Sequence, residues 1–172
     1  MLPIKQALLE LLSAIDKALP AQCAMTIVGA GDTAMALLNL KIPSIHLDFT
    51  GPDRDIAEFS RICAIIPPRG FQIHTWSNGR VFGQHLPEDY LKASLKIGAE
   101  LARIDLRALQ PLDIVVTKIE RLSDADMRDI KTCIKQFRLG KNQILKRARA
   151  LQQVGNEKKF ERNLESVLGL YA

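Results

Sequence analysis

The stretch that decides the fold is Ala24-Met25-Thr26-Ile27-Val28-Gly29-Ala30-Gly31-Asp32-Thr33-Ala34. A short apolar run enters two glycines one residue apart, and Asp32 or Thr33 is placed to cap a helix reaching Leu40. That is the pattern of a strand, a tight turn and a helix. Glycines let backbone approach a ligand closely, and free N–H groups at a helix start attract anions, so Gly29, Ala30, Gly31, Asp32 and Thr33 are candidate phosphate-binding residues. A turn in which the glycines serve geometry alone fits the same letters.

Two kinds of site use the device. In a dinucleotide fold an acid about 20 residues further on holds a ribose, and Asp48 lies 17 residues beyond Gly31. In a nucleotidyltransferase the turn cradles a triphosphate, and the next strand holds divalent metal with carboxylates two residues apart, which strand alternation puts on one face. Against the dinucleotide fold, the expected strand–helix succession turns into a hairpin around Ser77-Asn78-Gly79 after two strands.

Outward from the turn, residues 3–19 carry leucines and isoleucines at helical spacing up to Pro20. Ile42–Phe49 reads as a strand, Asp53 or Asp55 starts a helix to Ile66, and Phe71–Trp76 with Val81-Phe82 flank the hairpin turn. Ala102–Ala108 alternates strictly, with Arg103, Asp105 and Arg107 on the polar face. Leu112–Leu122 is an apolar, strand-like run ending near Lys118, and Ser123 with Asp126 resembles a capping arrangement for a helical remainder interrupted near Gly140 and Val154-Gly155-Asn156. These elements predict an α+β (α/β) fold, divided into an α/β domain over 1–135 and a basic helical tail over 136–172 packed on it.

Composition narrows the class. The chain has 172 residues, 47% hydrophobic and 25% charged, which suits a packed core and excludes disordered, collagenous and coiled-coil classes. No apolar run is long enough for a membrane helix, and charges interrupt the N-terminal leucines, unlike a signal peptide. Cys23, Cys63 and Cys133 are odd in number and widely spaced, so neither a disulfide framework nor a zinc site is expected, and a cytoplasmic setting is. The net charge of +5 is uneven: residues 131–162 hold ten basic side chains against Glu157 and Glu161, leaving fourteen basic against seventeen acidic elsewhere. Such a tail is a solvated face or a polyanion site, with Lys146, Arg147 and Arg149 as candidate nucleic-acid contacts.

Gly29-Ala30-Gly31-Asp32-Thr33-Ala34 followed by Pro43-Ser44-Ile45-His46-Leu47-Asp48-Phe49 resembles the opening of polymerase-beta-type nucleotidyltransferases. Lys118, Arg121, Asp126 and Asp129 resemble the later Lys-x-x-Arg…Asp-x-x-Asp region of the abortive-infection, toxin–antitoxin branch. The resemblance implies a mixed sheet flanked by helices with a C-terminal helical extension. It implies Mg²⁺ or Mn²⁺ held at His46 and Asp48, and a nucleoside triphosphate as substrate. Catalytic roles would fall to Asp48, Asp105 as third carboxylate, and Lys118, with Arg121, Asp126 and Asp129 as a supporting cluster. His46 stands where that branch has its first metal-binding aspartate, which implies a degenerate site. The functions implied are nucleotide transfer to RNA or protein, or an antitoxin-like regulatory role with a toxin-like partner; a non-catalytic RNA- or protein-binding module is the alternative. From the residues alone, Asp105 equally suits a surface acid paired with Arg103 or Arg107, and Asp126 and Asp129 suit a structural ion cluster at a helix start.

Overall fold

The computed structural model describes residues 3–172. The chain runs through α1 (Pro3–Ala18), β1 (Met25–Gly29), α2 (Gly31–Leu37), β2 (His46–Gly51), α3 (Asp53–Cys63) and β3 (Gln72–Ser77). Short pieces follow: β4 (Arg80–Val81), β5 (Gln84–His85), α4 (Tyr90–Ala93) and β6 (Leu95–Lys96). After β7 (Ile104–Ala108) come α5 (Pro111–Lys118), α6 (Asp124–Phe137), α7 (Lys141–Ala150), β8 (Gln152–Gln153) and α8 (Glu157–Leu168).

Five strands form a mixed sheet in the order β3-β2-β1-β7-β6, flanked by helices, and β4, β5 and β8 form a small second sheet. β1 runs antiparallel to β2 and parallel to β7, while β2 runs parallel to β3. A dinucleotide fold needs a parallel crossover at its glycine turn. Here the strand after the turn is an antiparallel neighbour, so the dinucleotide alternative fails on topology.

Alternation along β2 sorts its side chains: Leu47 and Phe49 are buried, whereas His46 and Asp48 face the other way. Register aligns Gly29 with Phe49 and Ile27 with Leu106, so Ile27 and Leu106 share the Leu47–Phe49 face. Phe49 meets Phe59 of α3 edge-on at 5.2 Å between ring centres. Leu8, Leu11, Leu12 and Ile15 of α1 are fully buried in the same core. The end of α1 is also tied to β7: the Asp16 carboxylate accepts N–H bonds from Arg103 at 2.8 Å and from Ala102 and Ile104 at 2.9 Å.

The strand-like run at Leu112–Leu122 is in fact helical over its first part, with Pro111 in the first turn of α5, where the missing N–H is no loss. Ile114, Val115 and Val116 are consecutive and all fully buried. An unbroken apolar run carries no period, so buried helix and buried strand look alike in it. α6 starts on the expected capping box, Ser123 and Asp126 bonding each other's backbone N–H. Among the described residues, no helix is long and apolar enough to cross a membrane, and Cys23, Cys63 and Cys133 are all free thiols. Burial pushes the Cys63 thiol up to about 12.

Candidate functional site

The glycine turn is built for close packing. A Cβ on Gly29 would lie 2.7 Å from Leu37 Cδ1, so α2 folds back on β1 only across a residue without a side chain. Gly31 has φ +53°, and a Cβ there would come within 3.0 Å of the Phe82 ring. The turn is laced to β2: the Ala30 N–H donates to the Asp48 carbonyl at 2.9 Å, and the Thr33 hydroxyl oxygen accepts the Asp48 N–H at 2.8 Å. Ala30, which sequence offered as a phosphate donor, therefore has its N–H engaged within the fold. Thr33 does not cap α2 but positions Asp48.

His46 and Asp48 share the strand face that opens beside this turn. His46 is exposed and stacks on His74 with ring centres 5.7 Å apart. Asp48 is half-buried, and its Oδ1 accepts the Trp76 indole N–H at 3.0 Å. Trp76 packs edge-on against Phe82 at 5.3 Å. Sequence reading passed over Trp76 and Phe82. The signal was the alternation of His74 and Trp76 along β3, but only the register, which pairs Asp48 with His74, tells which strand face they join.

A lattice of opposite charges stands across from β2. Lys118 Nζ lies 2.8 Å from Asp32, 3.0 Å from Asp129 and 3.5 Å from Asp126, with the lysine side chain only 6% exposed. Lys41 Nζ reaches Asp129 at 2.9 Å and Asp32 at 3.1 Å. Arg121 grips both oxygens of Asp126 at 2.7 Å. Burial pushes the Asp32 carboxyl up, but hydrogen bonds and charge from Lys118 and Lys41 outweigh it and hold the group below its usual range. Asp126 behaves likewise: burial opposes ionisation, and Arg121, Ser123 and Lys118 overcome it, leaving the group well below the carboxylate range. Burial would lower the Lys118 pKa, yet Asp32 and Asp129 raise it above its ordinary value. Three cations thus face three carboxylates, and the structural reading of Asp126 and Asp129 describes this geometry.

Between turn and lattice lies a cavity of about 340 Å³, lined among others by Gly31, His46, Asp48, Phe82, Lys118 and Arg121. Its charged lining is Asp32, Asp48, Glu120 and Asp126 against Lys118 and Arg121, a net charge of −2. Asp32 and Asp126 have cation partners; Asp48 and Glu120 have none among the described residues.

Asp105 does not join this cavity. It pairs in register with Thr26 of β1, four positions from Ala30, or about 13 Å at ~3.3 Å per residue. It lines a separate cavity of about 490 Å³ with Arg103 and Asp55, and its carboxylate takes the Arg107 guanidinium at 2.8 Å. Asp105 is thus a half-buried acid paired with Arg107, away from the cavity beside the glycine turn.

Among the described residues, no three His, Cys, Asp or Glu side chains come together as a metal-holding group. His46 and Asp48 offer two donors, while Asp32 and Asp126 are bound to cations and Asp105 is distant. This donor set does not fit a resident Mg²⁺ or Mn²⁺, hard ions that need several oxygen ligands.

The tail residues also separate. Lys146 is exposed. Arg147, by contrast, forms a fork on the fully buried Asp113 at 2.6 and 2.9 Å, and its third nitrogen reaches Asp89 at 2.8 Å. Burial pushes the Asp113 carboxyl up, which the Arg147 bonds only partly offset. Arg149 pairs with Glu161. Arg147 is therefore a bolt between α7 and α5 and not a free nucleic-acid contact.

Residues 76–165, just over half of the chain, match the family described as nucleotidyltransferase of unknown function (DUF6036). The matched segment contains Lys118, Arg121, Asp126 and Asp129 and begins beyond the glycine turn and β2. No curated protein and no solved structure matches the chain.

Proposed function

The chain belongs to the DUF6036 family of nucleotidyltransferases of unknown function, and from that premise we propose that it is a binding module in which nucleotide transfer has been lost. The observation that carries this reading is the lattice: Lys118, Lys41 and Arg121, the cations that could meet a phosphate, are already held by Asp32, Asp126 and Asp129. A polyphosphate entering the cavity would meet a net charge of −2, and to recruit Lys118 would have to break its buried pairs with Asp126 and Asp129, whose disruption costs about 3–5 kcal/mol. His46 replaces a carboxylate in the position the resemblance assigns to metal. As a regulatory module the protein would act by engaging RNA or a partner protein, without turnover.

The test is transfer itself. The protein is incubated with each labelled nucleoside triphosphate, Mg²⁺ or Mn²⁺, and total RNA or a protein acceptor. The expected result is no product above that of Asp48→Asn, and no saturable heat when triphosphate is titrated into the protein. Labelled product that disappears in Asp48→Asn would overturn the reading.

One observation favours a second reading, retained nucleotidyl transfer. Asp48 is oriented by Trp76 towards the cavity, beside the glycine turn, with no cation neutralising it among the described residues. Under this reading Asp48 and Gly29–Thr33 serve an incoming triphosphate, and the same assay yields a nucleotide-modified RNA or protein hydroxyl.

A further inference from the structure

α6 has two faces of opposite character. Asp126, Asp129, Ile130 and Cys133 are buried. At 3.6 residues per turn, Arg128, Lys131 and Lys135 fall within an arc of about 60°, opposite that buried face, and Arg138 extends the row at the helix end. All four are exposed. None makes an ion pair or a side-chain hydrogen bond among the described residues, unlike Arg147 and Arg149. The row rises about 15 Å over ten residues. One acid, Asp124, shares the arc, at its N-terminal limit.

We propose that this row is a docking surface for the phosphodiester backbone of a nucleic acid. The arc carries evenly spaced cations of one sign with no exposed apolar side chain among them. Backbone docking needs just that, since phosphate contacts are electrostatic and independent of sequence. A protein partner needs a buried apolar or aromatic anchor at the centre of its interface, and the arc has none. A membrane-surface helix inserts its apolar face, whereas the apolar face of α6 is packed in the core. The polyanion surface expected in the tail thus sits on α6, centred some fifteen residues before Lys146, Arg147 and Arg149. The proposal stands on α6 whether or not the cavity transfers nucleotides.

The test is fluorescence anisotropy of the full chain with labelled single-stranded RNA and DNA of about 20 nucleotides, without triphosphate, at salt from about 50 to 200 mM. The stripe variant is Arg128→Glu/Lys131→Glu/Lys135→Glu. The control is Lys17→Glu/Arg54→Glu/Lys92→Glu, which changes net charge equally at exposed positions on other elements. Wild type should bind with affinity falling steeply with salt. The stripe variant should lose about tenfold or more and lower the log–log salt slope by about 2, for three contacts at ~0.7 each. The control should stay within about twofold of wild type. The corresponding Arg/Lys→Gln triple variant keeps the experiment decisive if the glutamate form does not fold. Absence of wild-type binding, equal losses in stripe and control variants, or stripe-dependent binding to phosphatidylserine vesicles or a poly-glutamate peptide but not to RNA or DNA, would each overturn the proposal.

Discussion

Lys118 shows how much one side chain can hold. Its ammonium is the shared partner of Asp32, Asp126 and Asp129, contributed by α2 and α6. Replacing it with Met, similar in length but uncharged, leaves Lys41 and Arg121 to satisfy three nearby carboxylates. The expected loss is about 3–5 kcal/mol of unfolding free energy, read from urea denaturation. Trp76→Phe keeps the edge-on packing against Phe82 but removes the donor to Asp48. A hydrogen bond to a charged group contributes about 1.5–3 kcal/mol, so a destabilisation in that range is expected, without change in secondary structure. At this scale legibility followed sequence distance. Lys118, Arg121, Asp126 and Asp129 lie within twelve residues, so their spacing announced a cluster. The Trp76–Asp48 bond spans 28 residues and depends on strand register, which alternation alone does not specify.

Among the elements, α6 and α7 make the clearest demands. Asp126 closes the capping box of α6 while ionised, and its carboxyl, like that of Asp32, is held below its usual range. A carboxylate depressed in the folded state contributes stability that is fully present above its unfolded pKa, near 4, and is lost as pH falls through the lower folded value. Urea midpoints should therefore drop as pH falls below about 4, and Asp126→Asn, weaker at neutral pH, should flatten that decline. The bolt between α7 and α5 makes a second demand. Arg147→Met strands the buried Asp113 and should cost about 3–5 kcal/mol, while Arg147→Met with Asp113→Leu should recover most of the loss, because two apolar side chains can replace a buried pair. Caps and breaks were legible here because they are local: Ser123, Gly140 and Asn156 each precede a helix as expected. α5 was not, because Ile114, Val115 and Val116 are buried on all sides, which erases the period that tells helix from strand.

For the molecule as a whole, strict alternation in Ala102–Ala108 and the strand-turn-helix at Gly29 were enough to call for an α/β fold, while the mixed sheet came from the family resemblance. Which strands would neighbour one another was not legible, and that is what removed Asp105 from the cavity and the dinucleotide fold from consideration. Charge was legible in amount but not in availability, since pairing partners of Arg147 and Arg149 come from other parts of the chain.

The position of β7 carries a consequence for the order in which this chain folds. β1 lies at the centre of the sheet, and its parallel partner joins Met25 to Ile104, across most of the chain's first two-thirds. Asp16 must likewise find the N–H groups of residues 102–104, and Asp32 must find Lys118, each 86 to 88 residues away. Such distant closures are entropically late and slow. During synthesis, then, the first hundred residues hold the glycine turn and Asp48 but neither the strand nor the lysine that complete them. A fragment ending at residue 100 should remain unfolded by amide hydrogen exchange, and the full chain should refold in a single slow phase in which β1 and β7 gain protection together. Protection of β1 in the fragment would show that the sheet starts without its distant half.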